Sequence, residues 1–158
     1  MKTPRHAFRE YDIRGNADAD LSDELVTGIG RALATYLRRA GATTVAADAP
    51  LTVAVARDCR LSSDRIFAAL TAGLLSSGAY VVDVGVGPTP LLYFAAHHLA
   101  TDGAVMITGS HNPGGDNGFK MMRGTGTLYG DDVLALRDLI ESDSFAVGPQ
   151  GALSEKDI

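Results

Sequence analysis

Three short apolar runs, rich in β-branched residues, constrain this chain more than any other feature. They are Leu51–Arg57, Ala79–Gly85 and Gly103–Thr108, each bounded by Gly, Pro or polar residues. Their near-continuous apolar character is that of strands buried on both faces of a mainly parallel sheet. Helical patterns separate them. Ser22–Arg39 opens on a cap residue, Ser22 or Asp23, and closes on two arginines before Gly41. Ser62–Ser77 stops at Gly78, Pro90–Ala100 starts on a proline, and Asp131–Ser142 repeats apolar residues near helical spacing. Gly118–Arg123 reads as a further strand, antiparallel and at an edge. This alternation predicts an α/β fold, a three-layer α/β/α sandwich on a mixed, mainly parallel sheet.

With 158 residues, the length suits one domain, and 46% hydrophobic residues are enough for a core. Domain 1–145 is expected, with 146–158 as a Gly- and Pro-containing linker towards a second domain. The net charge of -5 argues against non-specific nucleic-acid binding, which needs a basic face. Cys59 is the only cysteine, so no internal disulfide and no cysteine-based zinc site can form. The first ten residues contain no apolar run, so no secretory leader is expected. No apolar stretch approaches the ~20 residues of a membrane span. A cytoplasmic protein without a membrane partner follows as the expectation.

The segment Thr108-Gly109-Ser110-His111-Asn112-Pro113 follows a predicted buried strand directly. Ligands of open α/β sheets bind at the carboxyl ends of strands. A hydroxyl, an imidazole and an amide next to a glycine suit an anion there. The same composition also suits a plain polar turn. Other motifs fail. Gly85-Val86-Gly87-Pro88-Thr89-Pro90 lacks the third glycine of a dinucleotide fingerprint, and Gly124–Gly130 is one residue too long for it. Ser110 is not flanked by the glycines of a nucleophile elbow. His97 and His98 are adjacent on a helix and point apart.

Thr108–Pro113 resembles the phosphoserine signature of the α-D-phosphohexomutases. Four further segments are similar to that family, in family order. They are Tyr11-Asp12-Ile13-Arg14-Gly15, Arg57-Asp58-Cys59-Arg60-Leu61-Ser62, Gly87-Pro88-Thr89-Pro90 and Asn117-Gly118-Phe119-Lys120. Ala56 stands where the family usually has glycine, and Gly115-Asp116 replaces the more usual bulky or aromatic residue before the Asn-Gly. The resemblance implies domain I of an isomerase of the phosphomannomutase/phosphoglucomutase type. Such an enzyme interconverts hexose 1-phosphate and hexose 6-phosphate through a bound hexose 1,6-bisphosphate. It implies Ser110 as the phosphate carrier and one Mg²⁺ ligand, with the metal carboxylates in a later domain.

By the same resemblance Lys120 is the general acid/base, and Arg14 contacts the substrate phosphate or reacting oxygen. Tyr11 and His111 are further substrate contacts. The bland alternatives are an exposed strand lysine, a solvated loop arginine and a packed tyrosine. Arg57 and Asp58 either support the site or pair with each other. Two other functions stay open: a sugar-phosphate binding fragment without turnover, and a phosphoserine-type phosphatase.

Overall fold

A computed structural model describes residues 1–41 and 50–158. Its core is a seven-stranded mixed sheet carrying four α-helices. The strands are β1 (Ile13–Asn16), β2 (Thr52–Arg57), β3 (Tyr80–Val86), β4 (Gly103–Ile107), β5 (Asp116–Arg123), β6 (Gly126–Thr127) and β7 (Leu153–Glu155). The helices are α1 (Asp23–Arg39), α2 (Ser63–Ser76), α3 (Thr89–His98) and α4 (Asp131–Glu141). The sheet order is β1-β5-β4-β2-β3-β7, with β6 paired to β5. From β4 through β2 and β3 to β7 the strands are parallel. β5 runs antiparallel to β4, β1 and β6.

The pleat divides the core into two clusters. Val53, Val55, Val105, Ile107, Phe119 and Met121 face α1, α2 and α4. Ala54, Ala56, Ala104, Met106 and Met122 face α3. The small residues on the second face let a single helix lie close to the strands. On the first face, α1 and α2 meet at Gly30 and Gly73. A Cβ on Gly30 would lie 2.4 Å from the Leu70 carbonyl oxygen, and one on Gly73 would lie 2.1 Å from that of Thr27.

The helix limits follow local chemistry. The Ser22 hydroxyl accepts from the Leu25 N–H at 3.3 Å, capping α1. Gly41 (φ 63°) and Gly78 (φ 78°) take the left-handed turn just past α1 and α2. Ala100 (φ 49°) and Asp143 (φ 51°) do the same past α3 and α4.

Two expectations are corrected. The strand expected from Gly118 is antiparallel, but it starts at Asp116 and lies inside the sheet. The short strand β1 covers its outer side, matching Ile13 to Phe119 and Arg14 to Gly118. Gly118 permits this approach, since a Cβ there would lie 2.4 Å from the Ile13 carbonyl oxygen. The tail expected as linker contributes β7, whose Leu153, Ser154 and Glu155 align with Val81, Val82 and Asp83 of β3.

Candidate active site

β2 and β4 are parallel neighbours, so the loops that follow them leave the sheet side by side. The ladder runs one step further, with the Asp58 N–H donating to the Ile107 carbonyl at 2.9 Å. This adjacency puts residues 58–62 under the loop that carries Ser110.

Ser110 has φ 53°, a left-handed conformation that costs a non-glycine residue roughly 1–2 kcal/mol. The surroundings hold it there. The Ser110 N–H donates to the Thr108 hydroxyl at 3.0 Å, and the Asn112 N–H closes a turn on the Gly109 carbonyl at 3.0 Å. Asp58 anchors the base of the loop, accepting from the Gly109 N–H at 3.2 Å, the Arg60 N–H at 3.0 Å and the Ser63 hydroxyl at 2.6 Å. Burial alone would raise the Asp58 carboxyl. Hydrogen bonds from Ser63, the Arg60 N–H, Thr108 and the Gly109 N–H outweigh it and hold the group below the usual carboxylate range.

A second tie comes from β1. Arg14 pairs with Asp12 through Nε and Nη2, and its Nη1 donates to the Asn112 side-chain oxygen at 3.0 Å. Arg14 lies opposite Gly118 on β5, and residues 118 and 120 share one face of the pleat. Arg14 and Lys120 therefore share a sheet face, on the side of Met106 and α3. Below them, fully buried Asn117 donates to the Ser62 and Ser63 hydroxyls at 2.9 and 3.0 Å, tying β5 to the start of α2.

Of the residues singled out from sequence, Ser110, His111, Arg14 and Lys120 gather at this end of the sheet. Ser110 and Lys120 are half-buried and His111 is exposed. Among the described residues, the Ser110 hydroxyl, the His111 ring and the Lys120 side-chain nitrogen have no hydrogen-bond partner. Tyr11 is 70% exposed and projects from the surface near β1. Asp58 supports the loop. Arg57 turns the other way, to Asp83 at 3.0 Å and Asp64 at 2.8 Å, with its guanidinium over the Phe67 ring.

Arg60, Asn112 and Asn117 take structural parts in the site that their sequence positions did not assign. They lie within the motif segments, but which way each side chain turns depends on the pairing of distant strands. Away from this end of the sheet, a cleft of about 500 Å³ between α1 and α4 is lined by Tyr36, Arg39 and Leu139. Among the described residues no three His, Cys, Asp or Glu side chains converge as a metal cluster would. None of the described helices is long and apolar enough to cross a membrane.

Comparison with known proteins bears on the fold and the family. Residues 5–146 match the family model described as phosphoglucomutase/phosphomannomutase, alpha/beta/alpha domain I. A phosphoglucomutase of Neisseria meningitidis serogroup B is 43% identical over 155 residues, covering 98% of this chain and 32% of the relative. A phosphomannomutase/phosphoglucomutase of Pseudomonas aeruginosa is 42% identical over the same shares. The crystal structure of a phosphoglucomutase/phosphomannomutase family protein from Burkholderia thailandensis superposes with a TM-score of 0.89 at 36% identity. The match covers 99% of this chain and 34% of that one. The chain thus spans about a third of the length of the relatives it matches. It belongs to the phosphoglucomutase/phosphomannomutase family, of which it is the α/β/α domain I.

Proposed function

We propose that this chain carries the phosphoserine of an isomerase that interconverts hexose 1-phosphate and hexose 6-phosphate, of mannose or glucose. The observation that carries the reading is the left-handed Ser110 at the carboxyl end of β4, on a loop tied through Asn112 to Arg14. Phosphate on the Ser110 Oγ passes to a sugar hydroxyl: the P–Oγ bond breaks and a new P–O bond forms. Lys120, acting as a free amine, takes the hydroxyl proton and passes it to the freed Ser110 Oγ. The product of this half is a bound hexose 1,6-bisphosphate. In the second half the Ser110 Oγ takes the other phosphate as the P–O bond to the sugar breaks, and the Ser110 proton passes through Lys120 to the sugar oxygen that is freed.

A phosphoserine carries about -1.5 to -2 charges near pH 7. Catalysis of its transfer is therefore mainly positioning and charge neutralisation. Arg14 suits this role because Asp12 and Asn112 fix the plane of its guanidinium. His111, exposed beside Ser110, and Tyr11 are further contacts for the sugar phosphate. Mg²⁺, when bound, neutralises charge on the phosphoryl oxygens. Ser110 supplies one oxygen ligand. Two carboxylates beside the loop are committed, Asp58 to Arg60, Gly109 and Ser63, and Asp12 to Arg14. The other metal ligands come from domains beyond this one, in a cytoplasmic enzyme of the relatives' length.

Ser110→Ala tests the assignment. In the whole enzyme it removes the phosphate acceptor, and turnover is expected to fall by at least about 10³-fold with the fold intact. A variant that still turns over within about 10-fold of the parent contradicts the assignment.

A further inference from the structure

An arginine beside a phosphate-bearing serine is ordinarily read as a charge that meets the phosphate. Arg60 does not do this. A guanidinium has five N–H donors, and all five of Arg60's are engaged within the protein. Nε donates to the Asp58 Oδ2 at 3.2 Å. Nη1 donates to the carbonyls of Pro113 and Asp116, the latter at 2.9 Å. Nη2 donates to the carbonyls of Ser110 at 3.1 Å and Asn112 at 2.8 Å. The guanidinium lies so close under Gly109 that a Cβ there would stand 2.3 Å from its Cζ.

Four carbonyls of one loop thus point inward at a single planar cation. A trans peptide is planar, with its N–H opposite its C=O. Turning the Ser110 and Pro113 carbonyls towards Arg60 therefore turns the His111 and Gly114 N–H groups away from it. Neither N–H has a hydrogen-bond partner among the described residues. Outward-turned backbone N–H groups form concavities that hold anions.

We propose that Arg60 is a positioning residue for phosphoryl transfer: the Ser110 loop is built around its guanidinium, which presents the loop's outward N–H groups to the phosphate. The proposal rests on Ser110 as the carrier. Its charge acts through the loop, and its planar fork is what four carbonyls in different directions require. Lysine, with one nitrogen, cannot reproduce the arrangement.

The test uses the whole enzyme, charged with hexose 1,6-bisphosphate, and compares Arg60→Lys, Gly109→Ala and their double variant. Arg60→Lys is expected to lower kcat by about 30-fold or more, while KM moves by less than about 3-fold. Gly109 does not have a positive φ, so Gly109→Ala strains no backbone and acts only by displacing the guanidinium. It is expected to lower kcat comparably. The double variant is expected to fall within about 2-fold of the worse single variant, because both remove one interaction. Arg60→Lys with kcat within about 3-fold of the parent, or losses that multiply in the double variant, overturns the proposal. Where Arg60→Lys fails to fold, Gly109→Ala decides alone, and parent-like kcat refutes the role. Loss of cooperative folding in both also refutes it, since the contribution is then general stability. Phosphate on Ser110 is measured on the parent first. A parent that turns over without it overturns the carrier assignment. A phosphorylated parent matched by Arg60→Lys overturns only the role of Arg60.

Discussion

Arg57 and Arg60 stand three residues apart at the end of β2, and their surroundings differ in kind. Arg57 meets carboxylates. It pairs with Asp83 and Asp64 and stacks over Phe67, joining β2 to β3 and α2. Arg60 meets one carboxylate and four backbone carbonyls. A cation paired with side chains holds elements together. A cation surrounded by carbonyls dictates the path of a backbone. The first corner contributes to the stability of the fold, and the second gives the Ser110 loop its shape.

Asp58→Asn should break this contrast most severely. It keeps the shape of the side chain, replaces one acceptor oxygen with an NH₂ group and removes the charge beside Arg60. Hydrogen bonds to charged groups contribute about 1.5–3 kcal/mol each, so a loss of about 2–3 kcal/mol in urea unfolding is expected. The Ser110 loop should loosen as well, with kcat down by about 10²-fold. Asn112→Ala comes next. It frees Arg14 from the loop and is expected to cost about 10-fold in kcat, with little change in melting temperature. Arg57→Lys should be smallest in activity, with kcat within about 3-fold of the parent. It loses the simultaneous reach of Nη1 to Asp83 and Nε to Asp64, and part of the contact with Phe67. A stability loss of about 1–2 kcal/mol is expected, read as a shifted denaturant midpoint. A kcat loss in Arg57→Lys equal to that in Arg60→Lys would erase the distinction between the corners.

The pH dependence of stability sharpens the same comparison. The Asp58 carboxyl is held below its unfolded value in the native protein. Its contribution is therefore fully present above the ordinary carboxylate range. It is lost as pH falls through the depressed native value. Urea unfolding of the parent at pH 6 and in acid should show this loss, and Asp58→Asn should show less of it. Equal acid sensitivity in both would assign the acid loss to other carboxylates.

The sequence displays the parallel half of this fold better than the antiparallel half. Leu51–Arg57, Ala79–Gly85 and Gly103–Thr108 are long enough and apolar enough to declare themselves as strands. β1 is four residues, Ile-Arg-Gly-Asn, and carries no such signal. Its existence depends on β5 and on Gly118, which only the folded pairing reveals. β7 has three exposed residues and pairs by backbone alone. Helix ends divide in the same way. Gly41 and Gly78 announce their left-handed turns, whereas Ala100 and Asp143 adopt theirs without a glycine.

The candidate site divides between what motifs carry and what geometry adds. Ser110, Arg14 and Lys120 stand in recognisable strings. The separate fates of Arg57 and Asp58, adjacent in the chain, depend on the strands that flank β2: Arg57 bonds to Asp83 of β3, and Asp58 accepts from the Gly109 N–H beyond β4. The five bonds of Arg60 require the loops after β2 and β4 to leave the sheet together, a consequence of strand order.

The most direct test of the central claim is phosphopeptide mapping by mass spectrometry on the whole enzyme, after incubation with a hexose 1,6-bisphosphate and Mg²⁺. The account predicts phosphate on Ser110 that disappears when excess hexose monophosphate is added. Mutase turnover with Ser110 free of phosphate throughout would contradict it.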